Sequence, residues 1–108
     1  MEAHEHSFLQ AQTVEDVSRI FKALSDPTRI KILYMLAQEE CTVGHITEVL
    51  DISHSAVSHQ LSLLRTMRLV KSRREGTSMI YSCDDNHVIS LLNQAVCHAE
   101  QCQEAETL

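Results

Sequence analysis

The stretch "DISHSAVSHQL", residues 51–61, holds two histidines and three serines and neither lysine nor arginine. Val57, Leu61 and the following Leu64 fall at i, i+4 and i+7, the spacing of a helix with one buried face. Ala56 joins that face, and the other side carries His54, Ser55, Ser58, His59 and Ser62. Just upstream, "CTVGHITEVL" (41–50) reads as a second short helix, capped by Thr42, with Ile46, Val49 and Leu50 inward. "DIS" (51–53) breaks the two. Two short helices joined by a tight turn predict a helix-turn-helix.

Downstream, "LVKSRREGTSMIYSC" (69–83) reads as two short strands around "EGTS". Gly76 is one of only two glycines in the chain and suits a turn with positive φ. Upstream, "SDPTRIKILYMLAQEE" (25–40) opens with Asp26 as a cap and Pro27 at the first helical position. Ile30, Leu33 and Leu36 or Ala37 are its expected inner face. "VEDVSRIFKAL" (14–24) places Val14, Val17, Ile20, Phe21 and Leu24 on one stripe, most simply a core face, and Val14, Val17 and Phe21 are also expected to help the last helix pack against a symmetry mate. After Asp84 or Asp85 as a cap, "DDNHVISLLNQAVCHAEQC" (84–102) forms a last helix with Val88, Leu91, Leu92, Ala95, Ala99 and Cys102 on its apolar side. The expected order is α-α-α-α-β-β-α, mainly α with a β-hairpin. A helix-turn-helix followed by a basic hairpin is a winged helix-turn-helix.

The chain is one domain by length, 108 residues, with residues 1–12 and 103–108 expected as tails. Its 44% hydrophobic content is that of an ordinary folded protein. The opening "MEAHEHSFLQ" lacks a secretory signal, and no apolar run is long enough to span a membrane, so a cytoplasmic location is expected. Cys41, Cys83, Cys97 and Cys102 form no CxxC pair and predict no disulfide framework.

The net charge of −6 disfavours nucleic acid, but its distribution does not. Residues 53–82 carry Arg65, Arg68, Lys71, Arg73 and Arg74 against Glu75 alone, a local +4. Residues 83–108 carry five acids and no Lys or Arg. Positive charge therefore collects just after the quoted helix, as an electrostatic footprint for phosphate would. Short serine and histidine side chains both donate and accept, and they let a helix approach base edges in the major groove. Phosphate anchoring falls to the hairpin and to Arg65 and Arg68.

Taken together, "FKALSDPTRIKIL", "VGHITEVLDISHSAVSHQLSLLR" and "LVKSRREGTSMIYS" resemble the ArsR/SmtB family of metal-sensing bacterial repressors, over roughly residues 14–102. Within it the chain is most similar to zinc and cobalt sensors that carry the metal site on the last helix. The resemblance implies a winged-helix homodimer that represses metal-efflux genes from operator DNA, an inverted repeat, and leaves it when metal binds. It implies DNA contacts from His54, Ser55, Ser58 and His59, with Arg73 and Arg74 in the wing.

A donor set is also visible on the last helix. His87 and His98 are eleven residues apart and share one helix face. Their separation along the axis is about 16 Å. Zinc–nitrogen bonds are about 2.0–2.1 Å, so one helix cannot bring both to one ion. Two antiparallel copies can, with Asp85 and His87 of one facing His98 of the other and two equivalent sites per dimer. These donor types suit Zn(II) or Co(II), with Ni(II) and Cd(II) also compatible. Sensors of this type place His or Glu three residues after the second histidine. Here that residue is Gln101, so the fourth ligand is open among Gln101, Glu100, Cys102 and water. The family's other site, built on paired cysteines at the start of the third helix, is represented only by Cys41 and is expected to be absent. His4 and His6 read as part of a polar tail.

Two other readings compete with this one. One is the same fold answering to oxidation of Cys97 or Cys102. The other is a small metalloenzyme, which has neither a glycine-rich loop nor a nucleophile motif in its favour. The expected protein is not an enzyme.

Overall fold

A computed structural model describes residues 6–84 and 86–107, with side chains through Gln101. Three side-chain caps punctuate its helices. Asp26 Oδ2 accepts from the Arg29 amide at 3.0 Å, Thr42 Oγ1 from His45 at 3.1 Å and Ser53 Oγ from Ala56 at 3.2 Å. Each satisfies an amide that a helix start would otherwise leave open. The helices are α1 (Ala11–Ala23), α2 (Pro27–Gln38), α3 (Val43–Leu50), α4 (His54–Thr66) and α5 (Asn86–Thr107). The strands are β1 (Cys41–Thr42), β2 (Val70–Glu75) and β3 (Ser78–Cys83). None of the described helices is long and apolar enough to cross a membrane.

The expected order holds, with one addition. β1 pairs antiparallel with β3, Cys41 opposite Tyr81, so the hairpin is the larger part of a three-stranded sheet ordered β1-β3-β2. Two residues are too few to carry a period-2 signal, which is why the sequence did not announce this strand. Gly76 takes φ +64 in the β2–β3 turn, as its placement predicted. Asp51 ends α3 in the left-handed region at φ 54, and the chain leaves α4 through Arg68 at φ 62. The Arg68 amide donates to the Arg65 carbonyl at 3.0 Å there.

The core is one apolar cluster in which Ile32, Ile46, Val57, Leu61, Leu64 and Val70 are the largest fully buried side chains. Ile46 of α3 and Val57, Leu61 and Leu64 of α4 share this cluster, which fixes the helix-turn-helix to the body of the domain. On α2 the buried residues are Ile32, Leu33 and Leu36, whereas Ile30 is only partly buried. α2 meets α3, α5 and β3 at once, so its buried arc is wider than a single stripe.

Other expectations need correction. α1 begins at Ala11, so residues 11 and 12 are helix and not tail, and α5 runs through Thr107, past the end expected at 102. Val49 is exposed, because the inward face of α3 is narrow and Ile46 alone is buried there. On α1 the buried residue is Ala23, with Ile20 and Leu24 packed against the core. Val14, Val17 and Phe21 are 51%, 38% and 55% exposed. Their stripe faces out of the chain beside α5, where Leu91, Ala95 and Ala99 line an apolar groove of about 500 Å³ with Phe21, Leu24 and Ile30. The cap at Asp85 lies outside the described residues.

Candidate nucleic-acid interface and metal-ligating residues

The face of α4 opposite the core is presented from a fixed platform. Its N-terminus is capped by Ser53, and its inner side is locked by three fully buried apolar residues. From the flank, the Arg29 guanidinium donates through Nε to Gln60 Oε1 at 2.8 Å, joining α2 to α4 across 31 residues of sequence. On this platform His54, Ser55 and His59 are exposed and Ser58 is half-buried. Ser58 Oγ lies 3.5 Å from His54 Nδ1. A groove of about 500 Å³ opens between His54 and Ser58, Gly44 at the start of α3, and Thr77 and Ser78 at the hairpin turn. The helix face is small-featured and able both to donate and to accept, while Val43, Met79 and Tyr81 add apolar surface to the groove beside it.

Positive charge flanks it. Arg65 and Arg68 are exposed at the end of α4, and Lys71, Arg73 and Arg74 are exposed on β2. Successive side chains on a strand point to opposite faces, so Arg73 and Arg74 diverge and do not form a pair. Arg73 is already engaged: it donates to Glu40 at 2.8 Å and lies 3.5 Å from Glu75. Arg74 makes no ion pair among the described residues. The wing's uncompensated charge is therefore Arg74 and Lys71 more than Arg73. Neither the Arg29–Gln60 nor the Arg73–Glu40 link has a local sequence signal, since both join residues more than 30 positions apart.

His87 and His98 are both exposed on α5, as are Glu100 and Gln101. The Gln101 amide donates to Cys97 Sγ at 3.4 Å, which occupies the amide nitrogen but leaves its carbonyl oxygen for other use. Asp85 and the side chain of Cys102 lie outside the described residues.

The structure does bring one set of donors together within a chain, and sequence reading missed it. Donor atoms of Glu39, Cys41 and His45 all lie within 4.8 Å of one another. His45 Nε2 is 3.9 Å from Glu39 Oε1, and Cys41 Sγ is 3.5 Å from the Glu39 carbonyl oxygen. A search for a second cysteine passes over this trio. The signal lay in the acid two residues before Cys41 and the histidine four after it. Burial, and then the Glu39 carboxylate, push the Cys41 thiol above its ordinary range. Burial pushes Cys83 up to about 11. Of the described cysteines only Cys97 is exposed.

A family profile described as bacterial regulatory protein, arsR family, matches residues 26–72, which is α2 through the start of β2. A cadmium resistance transcriptional regulatory protein CadC homolog from Staphylococcus aureus is 40% identical over 86% of this chain and 78% of its own length. A transcriptional repressor SmtB homolog from Synechocystis is 40% identical over 81% of this chain and 66% of its own. Among solved structures, a homodimeric winged helix-turn-helix DNA-binding domain from Mycobacterium bovis superposes with a TM-score of 0.82 at 30% identity, covering 94% of each chain. A helix-turn-helix held by these core residues, with a hairpin wing beside it and kinship at this level over most of its length, places the chain in the ArsR family of bacterial regulatory proteins.

Proposed function

We propose that the chain is a transcriptional repressor that binds an inverted-repeat operator as a homodimer and leaves it when Zn(II) or Co(II) binds between its subunits at α5. The observation that carries the DNA reading is the outer face of α4. His54, Ser55, Ser58 and His59 stand on a helix pinned by the core, by its cap and by Arg29, beside the exposed Arg65 and Arg74. The first set specifies bases, and the second anchors phosphates.

The homodimer is supported by the apolar groove between α1 and α5 and by the exposed Val14, Val17 and Phe21 next to it. It is also the state of the Mycobacterium bovis relative. Two copies joined there would present two α4 helices to half-sites about 34–36 Å apart.

His87 and His98 fit a cation site in their donor chemistry and exposure, with Asp85 as third ligand and Gln101, Glu100, Cys102 or water as fourth. The names of the Synechocystis repressor and the Staphylococcus aureus cadmium-resistance regulator support metal response in general. A cation held there supplies a fixed link between subunits. It need not touch α4; it must only bind one arrangement of the dimer better than another. A coupling of about 1–3 kcal/mol lowers operator affinity about 5–150-fold.

The test uses mixed dimers, with operator fluorescence anisotropy and metal stoichiometry as readouts. A heterodimer of His87→Ala with His98→Ala puts both lesions in one α5 site and leaves the other whole. It should keep one α5 ion per dimer and part of the release, while each single-mutant homodimer loses release and still binds DNA. Full release by metal in both homodimers sinks the inter-subunit reading.

A further inference from the structure

We propose that Gly44 is a DNA-contacting position: it keeps open a seat, between the start of α3 and the hairpin turn, that takes one sugar–phosphate unit of the duplex backbone. This contact rests on the reading of α4 as the DNA-facing helix and adds to it a position outside α4.

Gly44 is a glycine that the fold does not ask for. It is the second residue of α3, and of the chain's two glycines only Gly76 has a positive φ. A helical glycine is destabilising relative to alanine, because it gives up more backbone freedom on folding. Packing does not explain the choice either. Beyond its chain neighbours and its own helix backbone, a Cβ on Gly44 would meet among the described residues only Thr42 Oγ1, at 4.0 Å, an ordinary contact. The chain itself therefore has room for alanine here.

The open space is the groove beside α4. Gly44 is exposed on one wall of it with Thr42, Thr77 and Ser78 stand at the hairpin turn, and His54 and Ser58 join it to the outer face of α4. The lining has two characters. Val43, Met79 and Tyr81 supply apolar surface, whereas Thr42, Thr77 and Ser78 supply hydroxyls. The first amides of a helix have no partner inside it and lie at its positive end. None of the lining residues is Asp, Glu, Lys or Arg.

A deoxyribose joined to a phosphate matches this pairing. The C–H faces of the sugar suit the apolar surface, and the phosphate oxygens accept from hydroxyls and from amides at a helix start. A base edge or a free phosphate would use only half of the lining. Glycine allows the duplex backbone to approach the start of α3 more closely than any other residue does. With no lysine or arginine in the groove, the phosphate is held for register by hydrogen bonds and not by counterion release.

The test compares Gly44→Ala and Gly44→Leu with the wild-type full chain. Thermal melting is read at fixed protomer concentration, and DNA binding by anisotropy on an inverted-repeat duplex that the wild type selects from a random pool. Gly44→Ala should melt about 2–4 °C higher, from the lower end of glycine's cost in a helix. Gly44→Leu fills the seat with a good helix former, so it should melt at or above the wild type. It should nevertheless bind DNA about tenfold or more weakly, the loss expected for one hydrogen bond to a charged acceptor. That loss should be equal on random DNA and leave the slope of log K against log salt unchanged, unlike the loss in Arg74→Ala. Replacing single phosphates of the duplex by methylphosphonates locates the contact. At one position in each half-site the wild type should lose affinity and Gly44→Leu should lose none. The proposal is overturned if Gly44→Ala melts below the wild type, if Gly44→Leu binds as tightly as the wild type, or if no methylphosphonate position separates the two. Failure of the α4 reading looks different: His59→Ala and Ser58→Ala would keep full preference for the selected duplex while the Gly44 variants behaved as stated.

Discussion

Removing Gln60 tests whether the outer face of α4 is held from the flank as well as from the core. Arg29 Nε donates to Gln60 Oε1 at 2.8 Å, and both residues are half-buried. A hydrogen bond involving a charged group contributes about 1.5–3 kcal/mol net. Water can reach a half-buried guanidinium once its partner is gone, so the expected coupling falls at or below the lower end, about 1–1.5 kcal/mol. The measurement is a double-mutant cycle of Arg29→Ala, Gln60→Ala and the pair, by urea unfolding. Protomer concentration must be fixed, because a dimer's stability depends on it. Each single variant should also melt about 4–8 °C lower per kcal/mol lost. If α4 is steadied by this link, Gln60→Ala should reduce affinity for operator more than for random DNA. A coupling energy below about 0.3 kcal/mol, the level at which independent sites simply add, refutes the reasoning.

Arg74→Ala should weaken binding to every DNA sequence and reduce the slope of log K against log salt by about 0.9, whereas Arg73→Ala, its charge already met by Glu40, should change that slope less. His59→Ala or Ser58→Ala should instead narrow the gap between operator and random DNA, by about 1–3 kcal/mol for each good base contact, and unchanged discrimination in both would mean that α4 reads with other residues. The Cys83 thiol, pushed up to about 11 by burial, favours the neutral form in the folded state, so its contribution is fully present below the unfolded value near 9 and is lost as pH rises through about 11. Unfolding midpoints that fall across that alkaline window in the wild type, and fall less in Cys83→Ala, are the expected result. At pH 8 alkylation should reach Cys97 long before Cys83, since only the thiolate reacts.

Much of this architecture was legible because its signals are local. Asp26–Pro27 and Thr42 announce helix starts through side chains three residues from the amides they cap. Val57, Leu61 and Leu64 mark a buried face by spacing alone, and Gly76 marks its turn by conformational freedom. What stayed hidden depends on distance along the chain. β1 exists because Cys41 lies opposite Tyr81, forty residues on, and nothing in "CT" says so. Arg73 reads as a phosphate anchor until folding brings Glu40 beside it. Periodicity finds an apolar stripe on α1 but cannot say whether it meets its own core or a second chain, so Val14, Val17 and Phe21 read both as core and as a face for a second copy, and they stand exposed. Among the candidate metal donors, His87 and His98 show as a pair because one helix relates them, while Glu39 and His45 come near Cys41 only through the turn between α2 and α3.

Arg68 sets two selective pressures against each other. At φ 62, just past α4, an ordinary side chain is disfavoured by about 1–2 kcal/mol, and glycine is not. Glycine's freer unfolded chain returns about 0.5–1 kcal/mol of that, so folding alone still favours glycine modestly. An arginine at this position keeps a positive charge just past the end of α4, beside Asp16 and Arg19 of α1, at the expense of heat resistance. In laboratory evolution for thermal survival without DNA, this is a residue where the two traits should part early: Arg68→Gly lineages would gain tolerance to heat and lose grip on nucleic acid in the same step.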